Sequence, residues 1–240
     1  MVFEANATRQ GFEQYEKGDN FTTIPGSIDV DAIDRFRDQH SQLSLKVKHG
    51  VDPRKLVVNL IGTTCARKGQ LVFMQAIQLM QTKWPEDTAN LSFVMLGARE
   101  SAYLDLLRSK CETIRGTDTR LIEETHDVFD FYRLTDIFVC ASFQESFPRV
   151  ILEAMAFKLP IVTTDVFGIP EMVSNYNEGL LVHPGDPLSI AQSIVNLVQS
   201  AKARQELGAR AHAKVTRLFN SPKQLGRQLD LTKEVVVRHV

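Results

Sequence analysis

From about residue 55 the chain alternates short, unbroken apolar runs with longer stretches of helical periodicity, a pattern that few folds can accommodate. Strand-like runs are predicted at Lys55–Ile61, Leu91–Leu96, Arg120–Glu123, Asp136–Ala141, Pro160–Thr164 and Gly179–Val182. Helices are predicted at Gln70–Thr82, Ala102–Thr113, Val128–Leu134, Pro148–Phe157 and Leu188–Gln199. Strands without polar alternation are buried on both faces, and helical crossovers of this length make neighbouring strands parallel. The expected fold class is therefore α/β: a doubly wound parallel-sheet, Rossmann-like domain with helical flanks. Sheets of that kind bind ligands at the carboxyl ends of their strands.

The flanks differ from this core. Residues 1–24 hold a polar, helix-like segment that ends in a turn, and residues 25–54 form a charged, helical lead-in broken at Asp52-Pro53. An Ala/Arg-rich helix is predicted over 201–219. A last helix comes after it over 222–236, with Ser221 as N-cap and Pro222 in the first turn. A net charge of −1 without a basic stripe gives nucleic-acid binding no support. Cys65, Cys111 and Cys140 are odd in number and lack metal-type spacing, so they read as free thiols in a reducing compartment. No apolar run approaches the roughly 18 residues that span a bilayer, and no secretory signal is visible, so a cytoplasmic protein with at most peripheral membrane association is expected.

Three segments carry candidate chemistry. The loop from Gly62 to Gly69 (G-T-T-C-A-R-K-G) offers the hydroxyls of Thr63 and Thr64 and the cations of Arg67 and Lys68 at a helix start. Such a loop suits an anion, although an ordinary strand-to-helix turn with solvated charges has the same composition. The second segment runs from Glu145 to Glu153. Ser146 is a fair N-cap there, Pro148 fits the first turn, and Arg149 opposes the helix dipole unless an anion faces it. Glu153 lies inside an apolar run, where an ionised carboxylate needs hydrogen-bond donors. It is placed to accept from vicinal hydroxyls such as a ribose, or to pair with a neighbouring Arg or Lys. In the third, F-G-I-P-E at 167–171, Gly168 allows a positive φ or a close ligand approach, and Glu171 caps the next loop or helix or faces a ligand. His126 and His183 lie near strand ends without a partner at a readable spacing. His40, His49, His212 and His239 read as solvated.

The E-x7-E spacing, together with E-A-M-A, L-P-I-V, G-I-P-E and N-E-G-L-L-V-H-P-G-D-P after it, resembles the C-terminal, nucleotide-sugar-binding half of retaining glycosyltransferases of family 4, in the GT-B superfamily. The resemblance covers residues 55–216, about two thirds of the chain. It implies that Lys68 contacts the donor diphosphate, that Glu145 and the amides of Ser146 and Phe147 grip the transferred sugar, and that Glu153 binds the nucleotide ribose. Lys68 and Glu145 take the catalytic roles, and Gly62, Thr63, Arg149 and Val150 complete the expected donor contacts. Base contacts are expected near His126-Asp127-Val128. The donor is a UDP-, GDP- or ADP-sugar and a substrate; no cofactor and no metal are expected.

The sequence also departs from that family. Thr63 stands where an arginine phosphate ligand is usual, Pro148 where Gly is common, and Phe167 replaces the first of two glycines. Arg67 or Arg149 is expected to supply the missing charge. Residues 1–24 resemble the end of an N-terminal acceptor domain and its linker, and residues 217–240 a helix returning toward that domain. The acceptor domain itself is expected to be missing or supplied in trans. The isolated chain is then catalytically incomplete, or a non-catalytic nucleotide-sugar-binding module or subunit of a split enzyme. A Rossmann-type domain for another nucleotide is a third possibility.

Overall fold

The protein is seen in a computed structural model that describes residues 1–17, 20–114, 116–221, 226 and 229. In chain order the elements are β1 (Val2–Phe3), α1 (Asn6–Gln10), β2 (Thr22–Thr23), α2 (Val30–Gln39), α3 (Gln42–Lys48), β3 (Leu56–Ile61), α4 (Gln70–Lys83), α5 (Pro85–Ala89), β4 (Leu91–Ala98), α6 (Ala102–Cys111) and β5 (Asp118–Glu123). They continue with α7 (Val128–Leu134), β6 (Ile137–Cys140), α8 (Arg149–Ala156), β7 (Ile161–Thr164), α9 (Ile169–Met172), β8 (Gly179–Val182), α10 (Pro187–Gln199) and α11 (Ala201–Leu218). Single 3-10 turns lie at Glu13–Tyr15 and Ala66–Lys68.

Strands β3 to β8 form one parallel sheet in the order β5-β4-β3-β6-β7-β8. The alternating direction of strand side chains divides the interior into two cores. Val57, Val94, Phe138 and Cys140 face the layer of α2, α3, α7, α8 and α11. Val58, Phe93, Ile137 and Val139 face that of α4, α6 and α10. Both faces being covered is the reason the strands read as continuous apolar runs. The predicted doubly wound α/β sheet is therefore present, and every predicted core strand and helix is found within a few residues. Among the described residues no helix is long and apolar enough to cross a membrane.

Local chemistry sets the helix starts. Asp29 accepts from the Ala32 amide at 2.8 Å to open α2, and Ser101 accepts from Leu104 at 3.2 Å to open α6. Asp186 accepts from Leu188 and Ser189, both at 3.0 Å, with Pro187 in the first turn of α10. Each side chain satisfies a backbone donor that the helix cannot pair internally. Gly208, inside α11, lies so close to the end of α8 that an added Cβ would sit 2.0 Å from the Lys158 carbonyl oxygen.

Several expectations for the flanks need correction. Residues 1–24 do not hold one helix: α1 is short, and β1 and β2 pair in parallel, Val2 with Thr22 and Phe3 with Thr23. Two-residue strands are too short to show a period. Pro148, not Ser146, occupies the cap of α8, because Ser146 lies too early in the chain. His40 is stacked on Phe36, and His212 Nε2 lies 3.0 Å from Asp34, so neither is solvated. His239 and the predicted closing helix over 222–236 lie outside the described residues, apart from Gly226 and Leu229.

His49 is not solvated either; its Nε2 lies 2.9 Å from Asp130, to which Lys48 Nζ donates at 2.6 Å. Burial alone would raise the Asp130 carboxyl. The two hydrogen-bonding partners outweigh it and hold the group below the usual carboxylate range. A depressed folded-state pKa contributes stability that is present above the unfolded value and lost as pH falls through the folded one. Asp130→Asn should cost about 1–3 kcal/mol of stability at neutral pH. Thermal melts between about pH 3 and 7 should also show a shallower acid limb for the variant.

Candidate functional site

The winding of the sheet reverses between β3 and β6, which are neighbours although β4 and β5 come between them in sequence. Chains leaving their carboxyl ends diverge to opposite faces there and open a crevice. The loop after β3 brings Arg67 and Lys68 to this point, and the loop after β6 brings Glu145. The two loops are joined by the Phe143 amide, which donates to the Arg67 carbonyl at 2.8 Å, and by Arg67 Nη1, which donates to the Gln144 carbonyl at 2.7 Å. Gly69 makes the approach possible: its φ is +71°, and a Cβ there would lie 1.9 Å from the Ala141 carbonyl oxygen.

Lys68 Nζ donates to Glu145 Oε1 at 2.6 Å, Ser142 Oγ donates to the same oxygen at 2.9 Å, and Arg67 Nη1 stands 3.2 Å away. Glu145 is buried, so this carboxylate is held by two cations and a hydroxyl rather than by water. No described residue accepts from the Ser146 or Phe147 amides, which leaves two donors at the mouth of the crevice. The Phe147 ring is buried against Phe219, so only its backbone can serve a ligand. Ser146 Oγ instead lies 2.8 Å from Thr8 Oγ1.

Glu153 is buried as predicted, and its donors are protein groups: Tyr132 Oη at 2.8 Å and Arg149 Nε at 2.9 Å. Burial pushes the Tyr132 hydroxyl well above its ordinary pKa, and the adjacent carboxylate reinforces the shift. Tyr132 is thus a fixed donor. The structural pairing of Glu153 with a neighbouring arginine is the arrangement seen. Arg149 opens α8 because Glu153 neutralises it one turn on, and it needs no anion for that. Val150 is half-buried, its carbonyl 3.4 Å from Tyr132 Oη.

A cavity of about 610 Å³ lies beside these groups, lined by Ile61, Gly62, Thr63, Leu96, Gly97, Glu124, Thr125, His126 and Val128. Lys68 folds back over Gly62 in its wall, where an added Cβ would meet the Lys68 Cδ at 3.6 Å. Val128, in the wall, and Tyr132, on Glu153, are one helical turn apart on α7. Gly62, Thr63, Lys68, Glu145 and Glu153 thus belong to one region at the carboxyl edge of the sheet.

The third segment serves the fold. Glu171 accepts from the Asn6 and Ala7 amides at 3.0 and 2.9 Å, tying α1 to α9. Gly168 has a φ of −82°, so the expected positive φ falls on Phe167 instead. Its small size is needed because a Cβ would lie 1.8 Å from the Ser146 carbonyl oxygen, not because a ligand approaches. Sequence reasoning did not single out Ser142, Tyr132, Glu124 or Gln70, the last donating to the Thr63 carbonyl at 3.2 Å. None sits in a motif; the lone hydroxyl in the apolar face of α7 was the one available signal. Among the described residues no cluster of three or more potential metal ligands occurs.

The family described as Glycosyl transferases group 1 matches residues 55–200. A capsular polysaccharide biosynthesis glycosyltransferase, CapM, of Staphylococcus aureus is 26% identical over 203 residues, covering 82% of this chain and 50% of the relative. A glycosyltransferase structure from Rickettsia africae ESF-5 superposes with a TM-score of 0.87 at 19% identity, covering 98% of this chain and 63% of that one. Anabaena HepE, solved with UDP and glucose, gives 0.78 at 18% identity over 97% of this chain and 62% of that one. The chain spans about half the length of the curated relatives it matches. The predicted resemblance to the C-terminal half of a GT-B glycosyltransferase therefore holds, and the chain belongs to the family of glycosyl transferases group 1.

Proposed function

We propose that this chain is the donor-binding half of a retaining, family 4-like glycosyltransferase, which moves a sugar from a nucleotide sugar to an acceptor. The observation that carries this reading is the Lys68–Glu145 pair bridging the loops after β3 and β6, beside a cavity large enough for a nucleotide. UDP and glucose bound to the structurally similar HepE support it as a likeness of fold.

In this reading each residue has a defined task. Lys68 uses one of its three N–H donors on Glu145 and keeps the others for the diphosphate. Departure of the diphosphate builds negative charge, which Lys68, Arg67 and the amides at the start of α8 stabilise because they are in place beforehand. No metal is required for that neutralisation. Glu145 orients the hydroxyls of the transferred sugar with the Ser146 and Phe147 amides. Glu153 holds the ribose, Tyr132 fixing one of its oxygens. Arg67, rather than Arg149, supplies the charge of the arginine that Thr63 replaces, since Arg67 stands on Glu145 whereas Arg149 is mostly exposed and bound to Glu153. Residues 55–216 form the donor domain, and residues 1–24 and 217–240 belong with the acceptor-binding half.

A second reading, a non-catalytic nucleotide-sugar-binding module or one subunit of a split enzyme, uses the same Lys68–Glu145 site without turnover by this chain. Turnover by the isolated chain would reject it, whereas donor binding without turnover, with activity restored by a second protein, would establish it.

Loss of one charge-assisted hydrogen bond to the ribose costs about 1.5–3 kcal/mol. Glu153→Ala should therefore weaken nucleoside diphosphate binding at least roughly tenfold by calorimetry; unchanged affinity removes Glu153 from the site. Arg67→Gln should weaken diphosphate binding by about the same factor, and Arg149→Gln by clearly less. The reverse order in a titration would assign the compensating charge to Arg149.

A further inference from the structure

We propose that Glu124 makes the site selective for a guanine base, an inference that rests on the donor-binding reading above. Glu124 comes directly after β5 and lines the cavity. The Thr63 hydroxyl donates to its Oε1 at 2.9 Å, which sets the orientation of the carboxylate. Its Oε2 accepts from no described residue, and no described cation pairs with it. The cavity therefore holds an oriented carboxylate with an unused oxygen.

Phosphate is repelled by a carboxylate and attracted by ammonium and guanidinium groups, so the diphosphate lies toward Lys68 and Arg67. The cavity also has apolar walls from Ile61, Leu96 and Val128, suited to the flat faces of a heterocycle, and Glu124 lines it with them. An ionised carboxylate only accepts hydrogen bonds. Guanine presents N1–H and the 2-amino group side by side, two donors for one carboxylate and no acceptor between them. Uracil presents a single N3–H flanked by two carbonyl oxygens, which would face the negative charge. Adenine places one amino group beside a bare ring nitrogen, again an acceptor against an acceptor. A site built to pair with donors rejects a ligand that leaves its polar group unpaired. The solved neighbour that holds UDP is 18% identical, a likeness of fold that does not extend to the base.

Calorimetry of the whole chain with GDP, UDP and ADP tests the assignment, with thermal melts confirming that each variant is folded. GDP should bind at least about tenfold more tightly than UDP or ADP. Glu124→Gln should remove most of that preference by weakening GDP, leaving UDP and ADP within about threefold of the parent chain. UDP or ADP binding as tightly as GDP, or a preference that survives Glu124→Gln, overturns the guanine assignment and leaves the donor-binding reading in place. Binding of none of the three overturns the donor-binding reading and this inference with it.

Discussion

A parallel sheet must send its chain back across one face or the other after every strand, and where the choice changes the two outgoing loops part. In this chain that happens between β3 and β6, and the separated loops are drawn together again by hydrogen bonds through Arg67 and by the ion pair of Lys68 with Glu145. The rest of the site is organised around it. The glycine at 69 lets the loops approach, Ser142 and Arg67 complete the neutralisation of Glu145, and the backbone just after Glu145 presents amides still open to a ligand. A buried pair of this kind is weak evidence for stability, because desolvation offsets much of its attraction. Its position at the reversal of winding is what makes it the centre of the proposed donor site.

The two buried glutamates are held in different ways. Glu145 has cations from the neighbouring loop, so its charge is fixed by tertiary structure. Glu153 has a buried tyrosine from α7 and an arginine from its own helix that is largely in solvent. A surface arginine exchanges partners at little cost, while the tyrosine does not. In the proposed donor-binding reading, a ribose hydroxyl replaces Arg149 on one oxygen while Tyr132 keeps the carboxylate in place.

Much of this was legible in the residues. Two-sided burial gives strands without alternation, so the core sheet and its helices could be read directly, and the spacing of Glu145 and Glu153 placed both at the rim. The rest was hidden for identifiable reasons. Two-residue strands such as β1 and β2 carry no period, and the cap of α8 falls on Pro148, whose extended backbone lies directly before Arg149, two residues after Ser146. Arg149 looked unpaired because an i, i+4 partner within an apolar run resembles a ligand-facing carboxylate. Glu124 reaches the cavity, and Tyr132 reaches Glu153, through packing of strands and helices distant in sequence, which no local pattern announces.

The contacts of residues 5–8 have a mechanical consequence. Glu171 grips the amides of Asn6 and Ala7, Thr8 meets Ser146, and Gly168 leaves no room between Ala5 and the Ser146 carbonyl. The opening segment of the chain is thereby clamped to the same loop that carries Glu145. The backbone beside the Ser146 and Phe147 amides is therefore positioned in part by chain 138 residues away in sequence.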